Sequence, residues 1–573
     1  MTNKHWTLVW ALLLSLLFQN YASSSSPHSP QEDVVDVTVT ANADNHDASE
    51  TKTCTWESRH SCEGSVYRDP NLFPMKVPAD IAGSDDAEFL AYVQPDVAAM
   101  YNESESSLKP KESRFSGLFA KFINLSSRKL TVYWEVRKGG DRSFMATLVP
   151  FNAAATASFP GHRFVVVDAD TNKDLTTWIV EKDNSLYTYD PFNGSVETAS
   201  KTLNPSDLEL YKLQRDNLEF NKIYEAFTGR QWLGLYKRKN PPRYHMWPAE
   251  SFGQTHVVKT GETHLIEAPQ DIHSKISKFG ATQEERAKLA SFRDPNQSEL
   301  ALNLTVISVV PRVFEIRNFL SPAEVDHIMN VATGITLGES TTGSNTESRT
   351  RGGTRTSRNS WIKRDQDVVV DSIHRRAADL LQIDEAFFRH RAQNESMLLP
   401  ESSFPITERL QLVHYDVGQQ YTAHHDFIIP PLKDQGQASR FATLLLYLND
   451  VEEGGETSFP RFLNGKKSEI LQVKPERGLA ILFYNQLPDG NYDERSQHAA
   501  KPVIKGEKWL TNFWVSHSDR WNFRPTLQLH HILVCGMLTM FRLSTRYGIH
   551  ITRTKKTEKW LTNFWVWDPH YKN

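Results

Sequence analysis

The chain has 573 residues, of which 39% are hydrophobic, 11% aromatic and 23% charged, and its 65 Lys and Arg nearly cancel 69 Asp and Glu to leave a net charge of −4. That balance excludes a nucleic-acid protein relying on a global positive field. A mean hydropathy of −0.51 and the lack of any apolar run approaching about 18 residues exclude a polytopic membrane protein.

Lys4, an apolar stretch from Trp6 to Phe18 and the small residues Ala22 to Ser26 follow one another at the start. This is the order of a secretory signal peptide or, if uncleaved, a signal anchor, and residues 1–24 are assigned to it. The apolar stretch is short against the roughly 20 residues of a membrane span. The expected compartment is the lumen of the endoplasmic reticulum and secretory pathway, with membrane anchoring through this segment as the second reading. Sequons at Asn102, Asn124, Asn193, Asn296, Asn303 and Asn394 agree with that route but arise readily by chance. Cys54 and Cys62 lie near enough in sequence for one bridge, and Cys535 stands alone. With no CxxC, zinc-ribbon and thioredoxin-like readings fail.

Residues 25–113 are polar and poor in bulky apolar side chains, so they read as a largely disordered linker. Over 114–192 the pattern changes to short apolar alternations such as Leu130–Trp134 and Phe164–Asp168, separated by Gly139-Gly140 and Asp183-Asn184, which predicts a small β domain. Residues 193–300 form a connecting region of no recognised type, ending in a charged helical stretch over Gln283–Phe292. His245, Trp247, His256 and His264 in this region lack a partner set and read as structural.

A third pattern occupies 305–517. After the strand Val313–Ile316, Ser321-Pro-Ala-Glu324 is a capping box with Pro at the first helical position, and Val325, Ile328 and Met329 continue the helix. Helical spacing of Val369, Ile373, Ala377 and Leu380 predicts a second helix over Asp367–Ile383. Strands follow at Leu410–Tyr415, Ala442–Leu448, Ile470–Val473, Leu479–Tyr484 and Lys508–Val515. Helices followed by a run of strands imply a mainly β fold with supporting α, a barrel or jelly roll. Residues 518–573 contain a second, identical copy of Glu507–Val515 at Glu558–Val566, with nothing else repeated around it. This segment reads as an aberrant tail rather than a solenoid repeat.

Three His-x-Asp triplets, His414/Asp416, His424/Asp426 and His517/Asp519, could each present an imidazole and a carboxylate on one face of a strand. Only His424/Asp426 falls between a β-run ending at Tyr415 and the strand Ala442–Leu448, where a barrel mouth would be. A metal site of the two-His-one-carboxylate type needs one more ligand from a distant strand, and His498 precedes the last strand. On that strand Lys508, Leu510, Asn512 and Trp514 share a face, which points an ammonium into the barrel. A buried cation calls for an anion, and a bound carboxylate ligand would supply it.

These residues resemble the prolyl 4-hydroxylase family of Fe(II)- and 2-oxoglutarate-dependent dioxygenases. The resemblance runs from Pro311-Arg-Val-Phe-Glu-Ile through Thr354-Arg-Thr-Ser, Leu410-Gln-Leu-Val, Glu453-Gly-Gly-Glu-Thr and Phe459-Pro to Gly506-Glu-Lys-Trp509. It implies a double-stranded β-helix (jelly-roll) catalytic domain in which His424, Asp426 and His498 hold Fe(II). Lys508 would pair with the distal carboxylate of 2-oxoglutarate, helped by Tyr415 and Thr457, while Arg440 and Trp514 line the substrate side. Residues Gly338–Thr356 match the family's lid. The implied reaction hydroxylates proline at C4 in a proline-rich polypeptide, consumes O2 and 2-oxoglutarate, releases succinate and CO2, and uses L-ascorbate to rescue oxidised iron. His425 stands where the family has an aromatic, and Ala500 where it has Gly. A catalytically silent hydroxyproline-binding scaffold, or a dioxygenase acting on lysine or a free amino acid, are the alternatives. The complete ligand set weighs against the first, and the lid and peptide-type motifs against the second. No nucleic-acid partner is expected, and the sequence is silent on oligomeric state.

The segment 114–192 resembles the β domain of the von Hippel–Lindau protein, through Phe122-Ile-Asn-Leu-Ser126, Val132-Tyr-Trp134 and Ser158-Phe-Pro-Gly-His-Arg-Phe164. It implies a small β-sandwich in which Ser158 and His162 bond the hydroxyl of a hydroxyproline peptide and Trp134 forms a wall. Met145 replaces the family's Tyr, and Phe164 its Trp. Burial of Asn124 in that fold implies that its sequon carries no glycan.

Overall fold

The structure, a computed structural model, describes residue 88 and residues 117–234, 244–269, 275–341, 354–391, 404–427, 439–462 and 470–516. The signal, nearly all of the linker, the three cysteines, most of the expected lid and the duplicated tail lie outside them. Among the described residues no helix is long and apolar enough to cross a membrane.

The first β unit has strands β1 (Leu118–Asn124), β2 (Leu130–Glu135), β3 (Arg142–Leu148), β4 (Ala153–Ser158), β5 (Arg163–Asp168), β6 (Asp174–Ile179) and β7 (Leu186–Tyr189). They form a three-stranded sheet, β4-β1-β7, and a four-stranded sheet, β3-β2-β5-β6. Phe122, Val132, Leu148, Phe164, Val166 and Trp178 fill the space between. All seven residues of β1 are buried, the pattern of a strand covered on both faces. Leu118, Ala120 and Phe122 face the unit's own core, whereas Ile123 packs with Phe192, Leu203 and Tyr211. Asn124 is fully buried. Its amide donates to the carbonyls of Arg128, Leu148 and Val149 and its Oδ1 accepts from Ser126. A folded chain cannot carry a glycan there without losing these bonds. Expressed in a glycosylating host, the protein should show Asn124 unmodified in glycopeptide mapping while the exposed Asn193, Asn296 and Asn303 remain open to modification; a glycan at Asn124 would overturn this packing.

The region without a recognised type contains α1 (Val196–Ser200) and α2 (Pro205–Thr228), a 24-residue helix. Asn204 caps α2, Pro205 starts it and Gly229 closes it in the left-handed conformation. Its buried stripe reads Tyr211, Gln214, Asn217, Phe220, Asn221 and Tyr224, so the apolar periodicity that reveals a helix is interrupted by amides. Those amides have work: Asn217 donates to the Gly234 carbonyl at 3.2 Å and Asn221 accepts from the Trp232 amide.

The catalytic unit begins earlier than residue 305. Strand β8 (Thr255–Thr260) precedes helix α3 (Gln283–Ala290) and pairs with β9 (Leu300–Ser308), which pairs with β10 (Val313–Ile316). Helix α4 (Pro322–Thr333) carries the expected capping box, Ser321 with Glu324. Strands β11 (Gly338–Glu339) and β12 (Arg358–Ile362) lead to helix α5 (Val368–Leu381), capped by Asp367. All fourteen residues of α5 are buried, and Arg376 on it meets the cap residue Glu324 at 2.6 Å, which locks the two helices together. Removing either partner would leave an unpaired buried charge, a loss of roughly 3–5 kcal/mol.

Then come β13 (Leu410–Tyr415), β14 (Tyr421–His424), β15 (Arg440–Tyr447), β16 (Glu453–Gly454), β17 (Thr457–Phe459), β18 (Leu471–Val473), β19 (Ala480–Tyr484), β20 (His498–Ala500), β21 (Val503–Lys505) and β22 (Lys508–Ser516). The large sheet has nine strands in the order β11-β12-β13-β22-β15-β19-β10-β9-β8, the small one four, β14-β20-β17-β18. Helices α4 and α5 cover one face of the large sheet through Ile328, Ile373, Ala377 and Leu444. On its other face Val413, Tyr415, Tyr447, Phe459 and Leu510 fill the space toward the small sheet. This is the mainly β architecture with supporting helices that the residue pattern implies.

Candidate metal centre and anion anchor

The register of the small sheet makes the site. Strands β14 and β20 are antiparallel, and His424 lies directly opposite His498, so their rings come to 4.3 Å centre to centre. Asp426 follows two residues after His424. Its Oδ1 is 3.7 Å from His424 Nε2 and its Oδ2 3.7 Å from His498 Nε2. One ligand atom from each of the three lies within 4.8 Å of the others, close enough to share one ion.

Each imidazole is oriented by its other nitrogen. His424 Nδ1 donates to the Thr422 carbonyl at 2.8 Å, and His498 Nδ1 to the Ser496 carbonyl at 3.0 Å. A proton fixed on Nδ1 leaves the Nε2 lone pair of each ring toward Asp426, the arrangement that metal-bound histidines use. Burial, with the neighbouring His498 ring, holds His424 well below the usual histidine pKa and therefore neutral. Burial by itself would raise the Asp426 carboxyl, but the His498 and His424 imidazoles and the Arg440 guanidinium outweigh it and keep the group ionised. Two imidazoles held through Nδ1 by backbone carbonyls and one carboxylate suit a divalent transition metal.

The carboxylate is also clasped from the large sheet. Thr443 on β15 and Trp514 on β22 are cross-strand partners, and both donate to Asp426 Oδ2, at 2.8 and 2.9 Å. Asn485 in turn donates to Thr443 Oγ1 at 2.9 Å. Arg440 stacks 3.5 Å over the Trp514 ring, pairs with Glu408 at 2.6 Å and donates to the Asp426 carbonyl at 3.3 Å. Arg440 and Trp514, read from sequence as lining the substrate side, thus both contact Asp426. Thr443, Asn485 and Glu408 carry no sequence signal, because only pairing across strands brings them here.

Lys508 lies across from Tyr415 in the β13–β22 ladder and is fully buried. Its ammonium donates to the Gly455 carbonyl at 2.6 Å, stands 3.5 Å from Thr457 Oγ1 and lies 5.6 Å from the ring centres of both Tyr415 and Tyr447. Tyr447, which the sequence reading passed over, donates to Thr457 Oγ1 at 2.7 Å. No carboxylate pairs with Lys508 among the described residues, and burial pushes its pKa down to about 7. Gly454 lets β16 approach β21, since a Cβ there would sit 2.4 Å from the Pro502 carbonyl oxygen, and a Cβ at Gly455 would lie 3.5 Å from Lys508 Cδ. The Glu453-Gly-Gly-Glu motif is therefore a matter of space beside the anchor. Thr457 on β17, which pairs with β20, thus links the strand of His498 to the buried Lys508 ammonium.

Ser158 and His162 come together in the first β unit, Oγ to Nδ1 3.1 Å, with Trp134 and Phe159 at ring distances of 5.5 and 5.4 Å from His162. Ser158 is buried and Phe159 is exposed. Of the remaining histidines, His256 bonds the Pro248 carbonyl and His414 bonds Glu507, structural contacts in both cases.

A jelly roll holding two histidines, one carboxylate and a buried lysine is the chemistry of an Fe(II)- and 2-oxoglutarate-using oxygenase, and residues 410–516 match the 2OG-Fe(II) oxygenase superfamily. Two relatives from Arabidopsis thaliana are similar over more than the site. Probable prolyl 4-hydroxylase 3 is 34% identical over 228 residues, 37% of this chain and 71% of that protein. Probable prolyl 4-hydroxylase 8 is 33% identical over 241 residues, 39% of this chain and 75% of that protein. A solved structure of a viral collagen prolyl hydroxylase from Paramecium Bursaria Chlorella virus-1, with 2-oxoglutarate, is 24% identical, covering 36% of this chain and 96% of that one at a TM-score of 0.26. The chain belongs to the prolyl 4-hydroxylase family.

Proposed function

We propose that this protein is a peptidyl-prolyl 4-hydroxylase acting on proline-rich polypeptides of the secretory pathway. The observation that carries the proposal is the His424/Asp426/His498 cluster on the small sheet with the buried Lys508 reaching Thr457 of that same sheet. When bound, Fe(II) with O2 and 2-oxoglutarate supplies the oxidising power that adds a hydroxyl at proline C4, with succinate and CO2 released and ascorbate restoring oxidised iron. The chain's own part is to hold and orient. His424 and His498 present Nε2 because their Nδ1 protons are fixed on carbonyls, and Thr443 and Trp514 keep Asp426 aimed at them. Lys508, Thr457 and Tyr415 receive the far carboxylate of 2-oxoglutarate, and Phe459 and Phe483, packed on the His498 ring, shield that ring from water. The secretory compartment is supported by the charged-apolar-small order of residues 1–26 and by the sequons. The test is a panel of collagen-like and other proline-rich peptides: at least one should gain a single oxygen per turnover, matched by one succinate. A panel in which succinate forms without peptide oxidation would overturn the assignment.

A finer reading is favoured by the convergence of Ser158, His162 and Trp134. We propose that the first β unit, similar in motif to the von Hippel–Lindau β domain, holds hydroxyproline product so that neighbouring prolines are processed in turn. Burial lowers the His162 pKa, which favours a neutral ring able to bond a hydroxyl. In the full-length chain with His424→Ala, which prevents conversion, a hydroxyproline peptide should bind more tightly than its proline counterpart, and His162→Ala should remove the difference. Equal affinities in the His424→Ala chain would sink this reading.

A further inference from the structure

The first β unit does more than precede the catalytic one; a ring from its buried strand lies against the iron ligands' neighbours. Phe119 of β1 is 4% exposed. It meets His425 edge-on, with ring centres 5.3 Å apart at 82°, and Phe427 at 5.2 Å and 66°. His425 stands between the ligands His424 and Asp426, and Phe427 follows the second. Phe427 stacks on Tyr492 at 4.6 Å and 3°, and His425 Nε2 donates to the Glu494 carbonyl at 2.8 Å.

Few ladder bonds hold the backbone here, although Arg440, Thr443 and Trp514 hold Asp426 from the large sheet. Strand β14 pairs with β20 only at Tyr421 and His424, with the register shifting between them, and residues 425–427 are outside any strand. A ligand-bearing segment without a regular ladder depends on side-chain packing for its orientation. The first β unit is itself anchored for this purpose. Lys121, two residues from Phe119 on the same face of β1, is fully buried and donates to the carbonyls of Leu233 and Gly234 at 2.9 and 2.7 Å. Leu233 N donates to Asn491 Oδ1 at 2.9 Å, and Tyr224 of α2 donates to Asp489 at 2.7 Å. Asp489 and Asn491 belong to the same segment as Tyr492 and Glu494, so Phe119 is tied to the framework that holds the other side of His425 and Phe427.

We infer that Phe119 is a positioning residue for the metal centre: the docked β unit fixes His425 and Phe427, and through them the aim of His424 and Asp426. The inference rests on the metal reading above. It explains why the chain has an aromatic ring pointing away from the β unit's own core. It also makes the amino-terminal β unit a requirement for full metal affinity, independent of any peptide it binds.

The test is titration of the full-length protein with Co(II), followed by its visible ligand-field absorption and by equilibrium dialysis, without 2-oxoglutarate or peptide. Phe119→Ala should weaken Co(II) binding by about tenfold or more, the scale for groups that orient metal ligands, and should change the absorption spectrum. Phe119→Leu, which keeps an apolar filler and guards against loss of folding, should fall between it and wild type. Val132→Ala opens a cavity in the β unit's own core, where Val132 packs with Phe164 and Val166, and should lower the melting temperature with Co(II) affinity unchanged. Wild-type affinity in both Phe119 variants, or an equal loss in Val132→Ala, overturns the inference. If wild type does not bind Co(II), or His424→Ala binds it as wild type does, the metal reading itself fails and the inference falls with it.

Discussion

Alanine at His424 is expected to bring peptide-stimulated 2-oxoglutarate turnover below about one-hundredth of wild type, because even groups that only orient metal ligands contribute 10- to 100-fold. The ring supplies one of three ligand atoms that lie within 4.8 Å of one another, and its cross-strand partner His498 cannot take its place. Two donors cannot hold the metal against water as three do, and Asp426 would keep Thr443 and Trp514 as its partners without a metal to share. The fold should survive, since His424 is not fully buried and its Nδ1 bonds only a local carbonyl. The measurement is succinate release with and without peptide, beside a thermal melt. Turnover that persists in a folded His424→Ala protein would remove the metal assignment.

Lys508→Met should raise the KM for 2-oxoglutarate on the order of 100-fold, with a much smaller effect on kcat at saturation. Truncating one partner of a buried charge pair costs about 2–5 kcal/mol, and each 1.4 kcal/mol is tenfold. The pH dependence has a definite sign. In an unfolded chain a lysine titrates near 10.4; in the folded protein without ligand, burial lowers Lys508 to about 7. The folded state therefore bears its full penalty below pH 7, and the penalty fades as pH rises toward about 10.4, so the ligand-free protein gains stability across that window. Lys508→Met should lack this rise in thermal melts. A bound carboxylate reverses the preference and holds the proton on Lys508. Above about pH 7 binding must then take up a proton, and the KM for 2-oxoglutarate should climb by up to about tenfold per pH unit. A KM within threefold of wild type in Lys508→Met, or one flat in wild type from pH 7 to 9, would contradict the anchor.

Much of the catalytic unit is legible because its strands and helices follow strict periods. The cap at Ser321 and Glu324 forms as the residues predict, and so does the helix beginning at Asp367. The predicted strand Leu410–Tyr415 forms with those bounds. Helix α2 escaped notice because its buried stripe carries Gln214, Asn217 and Asn221. Asn217 and Asn221 bond a neighbouring loop, and with Gln214 they break the apolar repeat by which a helix is read. Strand β8 falls in the expected connecting region, and β9 straddles the expected start of the catalytic domain, because both lie at the sheet's end, away from the motifs. Only pairing shows that they extend the nine-stranded sheet.

By itself the sequence pointed to the residues of the candidate site: His424, Asp426 and His498 as the expected metal ligands, and Lys508 on the inward face of the last strand. These follow from the alternation of side chains along a strand and from a resemblance spread over ordered motifs. Tertiary structure alone decided their support. The pairing of His424 with His498, the clasp of Thr443 and Trp514 on Asp426, the nearness of Tyr447 to Lys508 and the ring of Phe119 against His425 all join residues distant in the chain. Such contacts depend on strand register and on the docking of one β unit against another. Neither leaves a periodic trace in a single sequence, because the energy that fixes them is shared among side chains that meet only after folding.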